Sequence, residues 1–190
     1  MHTKIDRPFL YGKKVYLRPL DLDDVNQKYL SWMNDEEIID QLDTVFPTAL
    51  FQLENYVESV LKNPKYSFFA IVERETNAHI GNVKLGPIHW INRTSNYGLF
   101  IGEKDKWGKG YASEAFALLL KFAFEKINLN KIWDMAAATN IASIKSNQKA
   151  GFKIEGTLKE QAFKKGKYED AVILSITAKE YFNLIDAAEK

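Results

Sequence analysis

The stretch "GEKDKWGKGYASEAF" (102–116) joins two kinds of sequence. Before it lies "NYGLFIG" (96–102), a run of strand formers. After Gly110 comes "YASEAFALLLKFAFEKI" (111–127), where Ala115, Leu118, Leu119, Phe122 and Ala123 recur on one helical face. Gly108 and Gly110 flank Lys109 at the junction. Glycine lets a backbone approach a ligand without a Cβ clash, and the N–H groups at a helix start attract anions. The pattern suits a phosphate cradled by backbone at 108–113, with Lys104, Lys106 and Lys109 as candidate counter-charges.

Upstream, "KVYLRPL" (14–20) reads as a strand that Pro19 ends or places at an edge. Asp21 is a candidate cap for a helix in which Val25, Tyr29 and Trp32 recur. Thr48 is a candidate cap for the next, striped by Leu50, Leu53, Val57, Val60 and Leu61. "YSFFAIVE" (66–73) and "IGNVKLGPI" (80–88) read as a hairpin. Downstream, "KIWDMAAA" (131–138) is a strand, and Asn140 and Ser143 open a short helix that Gly151 stops. "FKIEGTLKE" and "KYEDAVILSIT" form a final hairpin with Gly166 in its connection, and "AKEYFNLIDAAEK" is a closing helix. The order β-α-α-β-β-β-α-β-α-β-β-α, without a linker or repeat, predicts a single α/β (α+β) domain over 1–190. Its mixed central sheet is flanked by helices, and a β-loop-α-β crossover lies at its middle.

Composition narrows the function. The 190 residues are 46% hydrophobic, enough for a substantial core. Lysine and arginine number 26 against 25 acids, a net charge of +1, which gives no general reason to expect nucleic acid or an anionic membrane as partner. Without cysteine, disulfides, thiolate metal sites and cysteine nucleophiles are excluded. His2, His79 and His89 have no metal-ligand spacing, so no metal is expected. No apolar run approaches the roughly 18–20 residues of a membrane span, and no signal-peptide core is present, so a cytoplasmic protein is expected.

Two phosphate-loop templates fail. A GxxxxGK[ST] loop would need glycine at Glu103 and a hydroxyl residue at Gly110; a GxGxxG loop would need glycine at Ser113 and would open the sheet. A third pattern fits. "WGKGYASEAF" resembles the Gln/Arg-x-x-Gly-x-Gly/Ala loop of the GNAT N-acetyltransferases, falling on Trp107, Gly108, Lys109, Gly110, Tyr111 and Ala112, with Trp107 in place of Gln/Arg. The variant resembles the RimJ/RimL-like branch. "VYLRPLDLDD", "NIASIKSNQKAGFKIEGTLKE" and "GKYEDAVILSI" are similar to that branch's opening, N-x-x-S…K-x-GF-x-x-EG and closing segments, so the resemblance runs in order from about residue 14 to 178.

The resemblance implies a sheet that splays where acetyl-CoA, the co-substrate, lies along "GLFIG" (98–102) beside Leu99, Phe100 and Ile101. Its pyrophosphate would meet Trp107 to Ser113, and Asn140, Ser143 and Asn147 would add contacts. An amine attacks the thioester directly. The N–H of Leu99 or Phe100 would stabilise the developing oxyanion. An amine with a pKa near 10 calls for a base, with Glu103, His89, Tyr97, Glu155 and Glu160 as candidates. Asn147 stands where many relatives carry a tyrosine acid, and Ser143 is the alternative donor to the leaving sulfur. Gly151 and Phe152 are expected to be structural.

The acceptor is a small-molecule or peptide amine: a nucleotide-linked amino sugar, a protein N-terminus or a polyamine. Tyr29, Trp32, Trp90, Arg93, Tyr97, Phe163, Lys164, Lys165 and Lys167 favour the first, and the acidic "DEEIIDQLD" (35–43) favours the last. Homodimers are common among such proteins. The alternative reading is an acyl-CoA-binding or regulatory module with little or no turnover.

Overall fold

The computed structural model describes residues 7–42 and 46–188; His2 and Asp43 fall outside them. In chain order the elements are β1 (Leu10–Tyr11), β2 (Val15–Pro19), α1 (Gln27–Trp32), α2 (Glu36–Ile39), α3 (Leu50–Leu61), β3 (Ser67–Glu73), β4 (His79–Leu85), β5 (Thr94–Ser95), β6 (Tyr97–Ile101), α4 (Tyr111–Lys121), β7 (Lys131–Ala137), α5 (Ile141–Lys149), β8 (Lys153–Lys164), β9 (Lys167–Thr177) and α6 (Ala178–Ala188). They group into two compact units. One takes in residues up to Gly86 together with Gly98–Phe122; the other takes in Pro87–Tyr97 and the chain from Ala123 onward.

The splayed mixed sheet expected from the sequence is present as two sheets. The first has the order β1-β2-β3-β4-β6 and the second the order β5-β7-β9-β8. The mixed character lies in the second sheet, where β5 and β7 are parallel while β7–β9 and β8–β9 are antiparallel. In the first, β2–β3 and β3–β4 are antiparallel, and β3 is buried along nearly its whole length, as an interior strand with both faces covered should be. Val57, Leu53 and Val60 of α3 join Ala70 and Val72 in one core. The second unit is centred on Ile132, Leu174 and Ile176, none of which is exposed.

Three boundaries shift for local reasons. The helix expected from Asp21 makes only a 3-10 turn, Leu22–Asp24, because Asp24 turns inward to Arg18 with bonds of 2.6 and 2.7 Å. Asn26 then restarts the chain as α1, its side chain accepting from the N–H groups of Lys28 and Tyr29. Thr48 is held through its own backbone by Asn34, and α3 is capped one residue later at Ala49, whose N–H donates to Gln52. The last hairpin is tighter than its polar connection suggests: Lys165 and Gly166, at φ 50° and 78°, form a two-residue turn of the kind that matches strand twist. Among the described residues no helix is long and apolar enough to cross a membrane.

Candidate active site

The glycine loop is built by residues that clamp it from several sides. β6 ends at Ile101, and the Trp107 indole N–H donates to the Ile101 carbonyl at 2.8 Å, folding the loop back on the strand it leaves. Trp107, the departure from the motif, is thus an internal brace, half-buried against the core. Gly108 and Gly110 take φ 72° and 86°, a left-handed conformation that other residues adopt only with strain. Gly110 is the N-cap of α4 and offers no side chain to the helix start. A Cβ on Gly108 would meet nothing within 4 Å, so the loop faces open space there. Successive N–H groups in such a turn make an anion-binding concavity.

Two of the three expected counter-charges, Lys104 and Lys106, are engaged elsewhere. Lys106 donates to both carboxylate oxygens of Glu73 at 2.8 and 2.9 Å, and Lys104 is paired with Glu37 and, at 2.8 Å, with Asp35. Both lysine pKa values are raised by these carboxylates. Lys104 and Lys106 therefore hold the loop and α2, and a phosphate would have to compete with carboxylates for them. Glu73 also receives the Tyr111 hydroxyl at 2.5 Å and Thr76 at 2.7 Å. Lys106, then Thr76 and Tyr111, hold its carboxyl down at about 2. Nothing in the local sequence marks Glu73, which ends a strand 33 residues from Lys106.

A second omission is Lys14, in the turn before β2. Its ammonium donates to the Lys109 carbonyl at 2.8 Å, inside the glycine loop, and its N–H donates to Glu114 in the first turn of α4 at 2.8 Å. Ninety-five residues separate Lys14 from Lys109, so no local motif signals the contact.

β6 forms an edge of the first sheet. An edge strand leaves alternate backbone groups unbonded by its own sheet, which is what a coenzyme arm beside Leu99, Phe100 and Ile101 requires. Phe100 also joins Tyr29, Trp32 and His79 in an aromatic cluster with centroids 5.2–6.4 Å apart. Tyr29 and Trp32 are buried there, which corrects their reading as acceptor-site walls: the helix stripe that suggested them faces the core. Burial lowers the His79 pKa. Glu103 accepts an ion pair from Lys28 at 2.9 Å, and the same ammonium donates to the His79 carbonyl and lies 5.3 Å from the Trp32 ring centre.

In the second unit Asn147 is fully buried on α5. Its amide oxygen accepts from the Tyr97 hydroxyl at 2.8 Å, and its nitrogen donates to Asp134 at 2.7 Å and to the Ser143 carbonyl at 3.2 Å. Burial, with Asp134 adding to it, pushes the Tyr97 phenol well up. Asn140 caps α5 by accepting from the Ser143 N–H at 3.1 Å. Gly151, at φ 96°, ends the helix, and Phe152 is buried, so this pair is structural as expected. Among the other base candidates, Glu155 is tied to Lys131 at 2.7 and 2.8 Å and to Ser175 at 2.6 Å, Glu160 sits in a bulge at φ 49°, and exposed His89 accepts from the Asn92 N–H at 3.1 Å. Trp90 and Phe163 are exposed, whereas Arg93 serves through its carbonyl, which accepts from Asn130.

The acetyltransferase (GNAT) domain model matches residues 14–153. The uncharacterized N-acetyltransferase p20 of Bacillus licheniformis is 28% identical over 175 residues, 90% of this chain and 97% of the relative. The spermidine N(1)-acetyltransferase of Vibrio cholerae is 30% identical over 130 residues, 68% of this chain and 73% of the relative. Among solved structures, a spermidine N-acetyltransferase from Vibrio cholerae in complex with CoA and spermine superposes with a TM-score of 0.83 at 24% identity, covering 90% of this chain and 100% of that one. The glycine loop ahead of α4, the edge strand before it and the matched domain lead to one conclusion: this chain belongs to the GNAT family and is an N-acetyltransferase with acetyl-CoA as its co-substrate.

Proposed function

We propose that the acceptor is a polyamine of the spermidine type, acetylated at a primary amine. One observation carries this reading: the chain already holds two of its own alkylammonium groups on the carboxylates around the end of β6. Glu103 holds Lys28, and Asp35 and Glu37 hold Lys104. A polyammonium substrate needs the same chemistry repeated along its length, and the exposed Glu36 extends the row on α2. The spermidine acetyltransferase among the relatives supports the assignment.

In this reading the diphosphate of acetyl-CoA lies on the N–H groups of 108–113, and the pantetheine arm runs along β6. Ser143 and Asn140 supply polar contacts from the start of α5, and Asn147 positions that helix through Tyr97 and Asp134. The N–H of Leu99 or Phe100 stabilises the oxyanion formed as the amine attacks. Glu103 takes the amine proton once the incoming ammonium displaces Lys28, and the thiolate departs without a covalent enzyme intermediate. The single-domain reading over 1–190 is our own, and the span of the family model over 14–153 supports it. The variant loop "WGKGYASEA" keeps the narrower RimJ/RimL-like placement as our own reading.

Thiol release from acetyl-CoA tests the acceptor against a panel of spermidine, spermine, a nucleotide-linked amino sugar and a peptide with a free N-terminus. The chain contains no cysteine, so it adds no background. Saturable turnover on spermidine and spermine is the expected result. Background rates on both, with turnover on the sugar or the peptide, would refute it.

A further inference from the structure

We propose that Lys14 binds the coenzyme diphosphate, supplying from a distant turn the positive charge that the loop's own Lys104 and Lys106 do not. The inference rests on the reading that loop 108–113 takes the diphosphate. Lys104 and Lys106 are neutralised by Asp35, Glu37 and Glu73. Lys14 differs from them: its ammonium donates to the Lys109 carbonyl, a neutral group, at 2.8 Å, and lies 5.9 Å from the Tyr111 ring centre. An ammonium has three donors, so that bond leaves N–H groups that an anion on the loop could take. The ammonium is also the nearest atom to where a Cβ on Gly110 would stand, at 3.7 Å, which puts it beside the N-cap of α4.

The turn that carries Lys14 is fixed. The Lys14 N–H donates to Glu114, its carbonyl accepts from the Arg74 N–H at 2.9 Å, and the Gly12 N–H closes on the Val15 carbonyl at 2.9 Å. A Cβ on Gly12 would lie 2.1 Å from Glu114 Oε1, so the missing side chain at Gly12 gives Glu114 its approach. The base of Lys14 is thus pinned to the first turn of α4, and its tip is pinned to the residue between the two glycines. A phosphate seated on the loop would meet an ammonium already in place, with little rotamer freedom left to lose.

Calorimetric titration with acetyl-CoA tests the assignment without any acceptor amine. Lys14→Gln is expected to weaken binding about tenfold, the loss of one charge-assisted contact, and Lys14→Arg to restore most of it. Salt should weaken wild-type binding more than that of Lys14→Gln, because the variant has lost a screened charge; a purely structural role for Lys14 would leave the salt dependence unchanged. The tenfold loss should persist with 3′-dephospho-acetyl-CoA. Equal affinities of wild type and Lys14→Gln would overturn the proposal, and so would a loss that vanishes with the dephospho compound. Gly110→Glu separates this from failure of the loop reading: if Gly110→Glu also binds normally, the loop is not the phosphate site, whereas if it binds weakly while Lys14→Gln binds normally, only the role of Lys14 falls. A thermal melt matching wild type confirms that the exposed Lys14 substitution leaves the fold intact.

Discussion

Glu73 holds Lys106 through both carboxylate oxygens, at 2.8 and 2.9 Å, and takes the Tyr111 hydroxyl at 2.5 Å from the first residue of α4. One buried carboxylate at the end of β3 thus ties down the two flanks of the glycine loop. The ion pair and hydrogen bonds lower its pKa from the ordinary 4.5 to about 2. A depressed carboxylate contributes stability that is present above its unfolded pKa and lost as pH falls through its folded pKa. Glu73→Gln should therefore cost about 2 kcal/mol at neutral pH. The melting difference from wild type should close as pH falls from 4.5 toward about 2. A difference that is constant with pH would mean that charge is not what Glu73 contributes.

Trp32 lies flat against Gly102: a Cβ on Gly102 would stand 2.1 Å from one ring carbon of Trp32 and 2.3 Å from another. Tyr29, His79 and Phe100 surround that ring, so it has nowhere to move. Gly102→Ala should destabilise by roughly 1–3 kcal/mol through overpacking. Gly98, at the other end of the same stretch, meets nothing within 4 Å, and Gly98→Ala should stay within about 0.5 kcal/mol of wild type. Equal melting shifts for the two variants would show that the ring yields.

Arg18 and Asp24 form a bidentate pair with side chains 3% and 1% exposed. Burial, the largest influence, raises the Asp24 pKa, but the Arg18 bonds, the Asp21 N–H and the Arg18 charge together outweigh it and hold the carboxyl below its ordinary range. Asp24→Asn leaves the arginine charge buried against a neutral amide, which costs about 3–5 kcal/mol. Chemical denaturation should show that loss in the midpoint with an unchanged slope.

Periodicity made most of the strands and helices legible, because apolar residues recur at 2 or 3.6 positions wherever one face is buried. It misled where a polar residue turned inward. Asp24 looks like first-turn helix chemistry, and only the partnership with Arg18 explains the break. The glycine loop was legible as the strand–helix junction, where Gly108 and Gly110 take the left-handed conformation that their spacing suggests. Its electrostatics were not: three nearby lysines look alike in sequence, and carboxylates at positions 35, 37 and 73 decide which of them are free. Lys14 and Glu73 reach the loop only through the sheet, so their role could not be read from local spacing.

Asn147 carries the last prediction. Alignment on Gly151-Phe152 puts it where an acid would stand, but it is a buried bridge between the Tyr97 hydroxyl and the Asp134 carboxylate. Asn147→Ala removes both bonds and opens a cavity, so a stability loss of about 2–4 kcal/mol should accompany any fall in turnover. Asn147→Asp keeps the shape and sets a second carboxylate against Asp134. Like charges in a buried site cannot both ionise cheaply, so one carboxyl's folded pKa rises above its unfolded value near 4. The penalty is then present at neutral pH and relieved as pH falls toward that value. Melts from pH 7.5 down to about pH 4.5 should show Asn147→Asp recovering relative to Asn147→Ala. Parallel curves would mean that the new carboxyl is hydrated and does not feel Asp134, so that the site opens to water in the variant.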